Sequence, residues 1–503
     1  MLPFPSLFKK RLPLLGFLFS YLLFSFFTFR DYGCTWDEED AYQSGAVLYD
    51  YLIHGVPPRY LEPDHGYPYT CFLRLFYNQP DYDLFHLFNL LSAVFLFGAL
   101  YEVLLRETGR PWASLLGPVF LLLCPPFLGS IPANPKDIPF ASAYFLGLAA
   151  LYLLEGAKYR WVWLGTVFGF AITSRIVGFT LLPVLLLYDI YLSQNFYSGH
   201  GNSVRTGKWW KGKLLEWSGI LALSQVVCSV FWPYLGKNYF ANLPEVFGLS
   251  VEFPMNFRFL FMGRMIDTQS YPWFYLPVMI AVTLPLFLLV FFLASLLLHK
   301  SWKTNRLYSL MGGAFIFNFV LYLFLRPAVY DGLRHFLYLI PILATLAALA
   351  CIRYLGKPLF SPARICMGLA LILGMGTTLV QMVKLHPYEY LYYNELAGGF
   401  KGAYGKYETD YWVAGMREAV GWLKANETRD PKRVYKIRAQ GKPFQSKTYF
   451  NANMVFAEPA EDADYSILMT RAGLKPAPED EGKIIHRVER DGTPLVFILK
   501  LRN

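Results

Sequence analysis

Four consecutive carboxylates, Asp37, Glu38, Glu39 and Asp40, follow directly on a long apolar segment in Thr35-Trp-Asp-Glu-Glu-Asp-Ala-Tyr42. Charge beside hydrocarbon is costly, and where acids cluster near a membrane path they mark chemistry. Part of the cluster has a structural reading. Thr35 and Glu38 match the S/T-x-x-E capping box, and acids favour a helix N-terminus. Ala41, Gly45, Leu48 and Leu52 then form an apolar stripe that stops at Gly55, as expected of a helix lying flat on a membrane. Capping accounts for one or two of these acids and leaves the others over. Asp37 is therefore the first candidate for a general base; Glu38 is divided between catalysis and the cap, and Asp40 is a candidate contact to a substrate.

Cations occur at two short turns. Pro132-Ala-Asn-Pro-Lys-Asp-Ile-Pro139 holds Lys136 and Asp137 on a backbone fixed by three prolines, at the mouth of two apolar segments. The bland alternative is a lysine snorkelling beside its neighbouring aspartate. Arg326-Pro-Ala-Val-Tyr-Asp-Gly-Leu-Arg-His335 sets Arg334 and His335 where a helix re-enters the bilayer. Lys and Arg normally gather in cytoplasmic loops, so two arginines in an outward turn read as an anion site. Arg258 and Arg264 in a long loop, and Arg175 between two short helices, add further cations. Lys136, Arg334, His335 and Arg264 are thus expected to bind a phosphate, with Asp137, Asp40 and Arg175 as contacts to donor or acceptor. Each also has an ordinary reading as loop charge.

No GxxxxGK[ST], HExxH or GxSxG motif occurs, and no Cys/His spacing describes a closed zinc site. Asp81-Tyr-Asp83 fits a DxD pattern that could hold a divalent metal, but it opens a helix, where aspartate is a common cap. No cofactor is otherwise indicated. Asn426-Glu-Thr428 fits a glycosylation sequon.

These residues need a scaffold, and composition names it. The 503-residue chain is 55% apolar, 18% aromatic and 16% charged, the profile of a polytopic helical membrane protein. Soluble, disordered and disulfide-framework classes are excluded, and the net charge of +10 belongs to membrane topology rather than to nucleic acid. Apolar runs at 12–29, 84–105, 112–131, 138–154, 161–173, 176–193, 215–235, 273–298, 307–325, 335–352 and 365–383 approach the roughly 20 residues needed to cross a bilayer. Reading 161–193 as two spans gives about eleven helices and places every short basic connection, including Arg205/Lys208/Lys211/Lys213 and Lys300/Lys303/Arg306, on one side. The N-terminus is then cytoplasmic. The loops 30–83 and 236–272 and the charge-rich residues 384–503 are extracytoplasmic, and residues 1–383 form the membrane domain. The first segment has no small-x-small cleavage site and reads as a retained anchor. In the C-terminal part, Tyr411 to Lys424 is helix-compatible, Arg433 to Arg438 and Tyr465 to Thr470 read as strands, and Lys483 to Leu501 as a hairpin turning at Asp491-Gly492, a small mixed α/β domain. Cys34 and Cys71 share the first outer loop, and a disulfide between them is expected in an oxidising compartment.

The ordered set Trp36-Asp-Glu38, Asn134-Pro-Lys-Asp137, Ser174-Arg-Ile-Val-Gly178 and Leu333-Arg-His-Phe-Leu337 resembles the GT-C superfamily of polytopic glycosyltransferases, nearest to its protein O-mannosyltransferase-like and aminoarabinose-transferase-like branches. The stretch from His386-Pro-Tyr-Glu-Tyr390 to Asp410-Tyr-Trp412 is similar to bacterial members with a C-terminal extension. The resemblance implies inverting transfer of a sugar from a polyprenyl-phosphate carrier to a hydroxyl of a protein, lipid or glycan, at the outer face of a bacterial inner membrane. It also implies that Asp37 corresponds to the acidic residue after the first helix proposed as base; this chain departs from that pattern in offering four acids rather than an isolated pair. Expected partners are the lipid-linked donor and membrane lipids, with no nucleic acid. A lipid flippase or transporter is the competing class; it also needs charge among helices, but no paired halves with matching broken helices are visible.

Overall fold

Apolar runs of this length can satisfy their backbone only as helices, and helices they form. The computed structural model describes residues 4–58, 65–77, 81–195, 207–251, 257–298, 304–355, 361–459 and 461–502. Among these, seven helices are long and apolar enough to cross a membrane: Phe8–Thr28, Tyr82–Thr108, Ile176–Asn195, Trp209–Phe231, Arg306–Leu325, Arg334–Leu355 and Arg364–Leu385. Pro111–Leu122, Asp137–Leu153 and Leu286–Leu296 are shorter apolar helices. The expected eleven spans are not reproduced as eleven uniform rods, for identifiable reasons. The run 273–298 is split into Tyr275–Thr283 and Leu286–Leu296 at Leu284-Pro285, where proline lacks the N–H to continue the ladder. The run 161–193, by contrast, breaks where two spans were expected to meet, at Arg175, whose extended backbone (φ −156°, ψ 136°) ends the helix Arg160–Ser174.

Packing sorts the helices into centre and periphery. The Arg334–Leu355 span is buried over 94% of its most apolar window, so it is the centre of the bundle, whereas Trp209–Phe231 and Arg364–Leu385 are buried over only 17% of theirs. Leu215, Val226, Ile372 and Leu373 accordingly face outward, a surface suited to hydrocarbon. Helix Arg160–Ser174 packs closely on Gly207–Phe231 through Gly165 and Gly169; a Cβ on them would lie 2.8 Å from Leu223 and 2.6 Å from Val227. This is the small-xxx-small device by which membrane helices gain contact.

Charge collects at the two ends of the bundle. At one end lie the pairs Arg11–Glu102 and Arg306–Glu155, Glu107 held by Tyr152 and Asn305, and a cluster of Arg160, Asp189, Lys213 and Glu216. Four of the basic connections expected on one face contribute to these contacts, through Arg11, Arg160, Lys213 and Arg306; Arg205, Lys300, Lys303 and Lys357 lie outside the described residues. The opposite end carries the acidic motif, both cationic turns and the C-terminal part.

The acidic motif opens the helix Glu38–His54, closed by Gly55 at φ +67°. Its N-cap is Asp37 rather than Thr35, and half of the expected box survives: Thr35 N–H donates to Glu38 Oε2 at 2.6 Å, while the Thr35 hydroxyl donates to the Ala133 carbonyl at 2.7 Å. The loop expected at 236–272 holds helix Tyr239–Val251 and a hairpin of β1 (Arg258–Phe261) and β2 (Arg264–Asp267).

In the C-terminal part, β3 (Tyr435–Ala439), β4 (Met454–Phe456), β5 (Tyr465–Met469), β6 (Ile484–Arg490) and β7 (Thr493–Lys500) form a sheet in the order β4-β3-β5-β7-β6. β3 runs parallel to β4 and β5; the other pairs are antiparallel. The β6–β7 turn is Asp491-Gly492, both residues at positive φ, as a two-residue hairpin requires. Helix Met416–Asn426 buries Met416, Ala419, Val420 and Leu423, an i, i+3, i+4, i+7 stripe. The sequon is compromised by this packing, since Thr428 is buried with its hydroxyl donating to the Leu423 carbonyl at 3.2 Å.

The expected Cys34–Cys71 disulfide is absent: both are free, buried thiols. Cys34 is held by the C-terminal part instead, with the Tyr449 hydroxyl 3.1 Å from its sulfur, while Cys71 belongs to the separate helix Pro68–Leu73.

Candidate functional site

Three carboxylates converge on Arg334, which is 6% exposed at the head of the central span. Its guanidinium pairs with Asp37, with Asp137 at 3.0 Å and with Asp331 at 3.3 Å. Arg175 pairs with the other oxygen of Asp137. The sequence places these groups by different means. Asp37 ends the non-helical link after the first span. Asp137 begins its helix, and Asn134 locks it in an Asx turn, accepting the Asp137 N–H at 2.9 Å and returning its amide to the carboxylate at 2.9 Å. That turn is itself pinned by the Thr35 hydroxyl and by Asn89, whose amide donates to the Pro132 carbonyl at 2.5 Å. Arg175 enters because the helix breaks there.

A cavity of about 220 Å3 runs away from the cluster. Asp137, Arg175, Arg334 and His335 form its polar end; Ile176, Val177, Phe179, Phe247 and Leu321 are among its apolar walls. The Nε2 of His335 has no hydrogen-bond partner among the described residues, and its ring packs edge-on to Tyr330 at 4.5 Å. Lys136 is half-buried with its Nζ 5.4 Å from the Tyr67 ring centroid. A second cavity, of about 450 Å3, is lined by Gln43, Ser44, Tyr51, His65, Tyr67 and Tyr234. Tyr67 therefore stands between Lys136 and this second space.

The electrostatics favour ionised acid at Asp37. Burial alone would raise its pKa, but Arg334, Lys136 and Arg175 outweigh that and bring it down to about 2. Asp331 moves the other way, pushed up by burial against the opposing pull of Arg471 and Arg334. A site of this kind can bind an anion on cations already oriented by carboxylates and can present an ionised acid beside it.

Of the residues singled out from sequence, Asp37, Lys136, Asp137, Arg175, Arg334 and His335 come together. Glu38 lies behind them, fully buried, with His86 Nε2 at 3.0 Å and the Thr35 N–H on its two oxygens. Asp40 points to the C-terminal part and pairs with Lys442. Arg264 is exposed at the start of β2 and is not among the residues lining either cavity. Arg258 pairs loosely with Asp267 at 3.8 Å. The DxD aspartates are accounted for structurally: Asp81 caps its helix at the Leu84 N–H, 3.0 Å away, and Asp83 pairs with Arg417 at 2.6 Å. Among the described residues no group of three His, Cys, Asp or Glu is placed to hold a metal ion. Two members of the cluster escaped the sequence reading. Asp331 sat unremarked inside a quoted turn, and Arg471, 3.1 Å from Asp331, comes from a loop with no motif at all.

No family model matches the chain, and no curated protein matches it in sequence. Its fold does match solved structures. ArnT from Cupriavidus metallidurans bound to undecaprenyl phosphate superposes with a TM-score of 0.52 at 14% identity, over 96% of this chain and 97% of that one. The apo state of the same protein gives 0.52 over 97% and 98%. The oligosaccharyltransferase AglB from Archaeoglobus fulgidus, in complex with an inhibitory peptide and a dolichol-phosphate, gives 0.43 at 12% identity over 82% of this chain and 61% of that one. The chain is an integral membrane protein with an ArnT-like fold and a C-terminal sheet.

Proposed function

We propose that the protein is an inverting glycosyltransferase that moves a sugar from a polyprenyl-phosphate carrier to a hydroxyl acceptor at the extracytoplasmic face. The observation that carries this reading is the apolar cavity closed at its polar end by Arg334, Arg175 and His335, with Asp37 on the far side of the same guanidinium. An isoprenoid chain suits the apolar walls, and its phosphate suits the cations. The structure of ArnT with undecaprenyl phosphate gives the fold a precedent for such a ligand. Lys136 completes the phosphate contacts, and the unpartnered nitrogen of His335 is left to accept from a hydroxyl of the donor.

The chemistry follows from the charges. A polyprenyl monophosphate leaves without needing a proton, while the charge growing on it is stabilised by fixed cations. The acceptor hydroxyl must lose a proton, and Asp37 is the base. Before donor arrives, Arg334 holds Asp37 as a weak base; a phosphate competing for the same guanidinium frees the carboxylate as it docks. Attack by one activated hydroxyl inverts the anomeric centre, since no second carboxylate forms a covalent intermediate. The second cavity, meeting Lys136 through Tyr67, is where the acceptor enters.

The test is purified full-length protein in lipid with a polyprenyl-phosphate sugar, its products read by mass spectrometry. Transfer to an added hydroxyl acceptor, or slow hydrolysis without one, is expected. Movement of the donor across the bilayer with the glycosidic bond intact would replace this reading by that of a flippase.

A further inference from the structure

Three segments far apart in sequence meet on the side chain of Arg471. Its Nη2 lies 3.1 Å from Asp331 Oδ1, and its Cζ is 5.2 Å from the centroid of Trp36 and 5.9 Å from that of Phe257. Trp36 immediately precedes Asp37, Phe257 leads into β1, and Asp331 belongs to the turn before Arg334. Arg471 itself follows β5, so the C-terminal sheet reaches into the charged cluster.

The loop that carries it is built to hold this position. Ala472 adopts a left-handed backbone (φ +56°), uncommon for a residue other than glycine, and its N–H donates to Glu408 Oε2 at 2.9 Å. The other Glu408 oxygen accepts the N–H of Leu260 in β1. Thr470 is tied to the Leu495 carbonyl through its N–H at 3.1 Å and to the Thr409 hydroxyl at 2.7 Å. One carboxylate thus fixes the outer hairpin and the arginine loop together.

Charge explains why an arginine is wanted there. Asp331 is 2% exposed, and Arg334 approaches it at 3.3 Å, less closely than it approaches Asp137 at 3.0 Å. Left alone, a buried Asp331 would draw Arg334 toward itself, because an uncompensated buried carboxylate is strongly disfavoured. We propose that Arg471 is a positioning residue: it neutralises Asp331, so that Arg334 remains free to be shared between Asp37, Asp137 and an incoming phosphate. The C-terminal sheet therefore completes the phosphate site. The phosphate half of this statement rests on the transferase reading; the pairing of Arg471 with Asp331 does not.

The experiment uses the purified full-length chain, with undecaprenyl phosphate as the probe, and two readouts: binding affinity, and the melting temperature of the ligand-free protein. Arg471→Ala is expected to weaken binding roughly tenfold and to lower the melting temperature. Asp331→Asn added to Arg471→Ala is expected to restore both, since the charge to be neutralised is gone. Arg471→Lys should recover part of each. A packing role predicts no such rescue, because the contacts to Trp36 and Phe257 are lost equally in the single and double variants. If wild type fails to bind the lipid phosphate, the transferase reading falls, while the melting temperatures still judge Arg471. A double variant that melts no higher than Arg471→Ala, or binds no better where wild type binds, overturns the proposal.

Discussion

Asp37→Asn keeps the shape of the side chain and removes the charge that Arg334 binds. As the base, this variant should lose roughly 10² to 10⁴ in turnover. If Asp37 competes with phosphate for Arg334, as proposed, lipid-phosphate affinity should hold or rise; a fall in affinity would mean that Asp37 orients Arg334 for the phosphate instead. Glu38→Gln tests the neighbour for a different role. Glu38 is fully buried between the Thr35 N–H and His86, so its variant should lose about 1 to 3 kcal/mol of stability in a thermal melt and keep most of its turnover once folded. Arg334→Ala is a poor probe, since it strands three carboxylates at a cost of about 3 to 5 kcal/mol; Arg334→Lys keeps a charge and should fold with weakened donor binding. Sequence made Asp37, Lys136, Asp137, Arg175, Arg334 and His335 legible because each is a charge in a setting that disfavours charge. Asp331 and Arg471 were not legible for the opposite reason: an acid in a turn and a basic residue in a loop, 140 positions apart, are ordinary until the fold brings them together.

At the scale of elements, period and punctuation were readable and tertiary substitution was not. The Asp491-Gly492 hairpin and the Gly55 stop follow from local backbone rules, whereas the N-cap moved from Thr35 to Asp37 because the Thr35 hydroxyl is taken by the Ala133 carbonyl. Helix Glu38–His54 packs on Pro68–Leu73 so closely that a Cβ on Gly45 would lie 2.4 Å from Thr70 Oγ1. Gly45→Ala should therefore destabilise by about 1 to 3 kcal/mol, measurable as a lowered melting temperature. The Glu408 link between hairpin and arginine loop carries a pH signature. Burial, against its two N–H bonds, pushes the carboxyl from 4.5 up to about 7. Between these values the folded state binds the extra proton, so stability is greatest below about pH 4.5 on this account and declines as pH rises toward 7, by roughly 3 kcal/mol. Glu408→Gln should flatten that slope in melts taken from pH 4.5 to 8; an unchanged slope would assign it to another group.

For the whole molecule, the sorting of charge to two ends converts into a labelling pattern. With the exposed Cys366 replaced by serine, a single cysteine at Lys211 should be shielded from an impermeant thiol reagent in intact cells, and one at Lys432 should react. The reverse pattern would turn the protein over in the membrane and remove the site from the extracytoplasmic face. The molecule also binds its own beginning to its end. Cys34, Trp36 and Asp40 meet Gln445, Trp412 and Lys442, and the Arg417 guanidinium donates to the Tyr32 carbonyl at 3.2 Å. These contacts set a clock on biosynthesis. At about 5 to 20 residues per second, the acidic helix waits roughly 20 to 80 s for partners some 400 residues downstream to leave the ribosome. A nascent or prematurely terminated chain lacks Arg471 and the residues that hold the first loop, so the charged cluster around Arg334 is incomplete until the C-terminal sheet has been made.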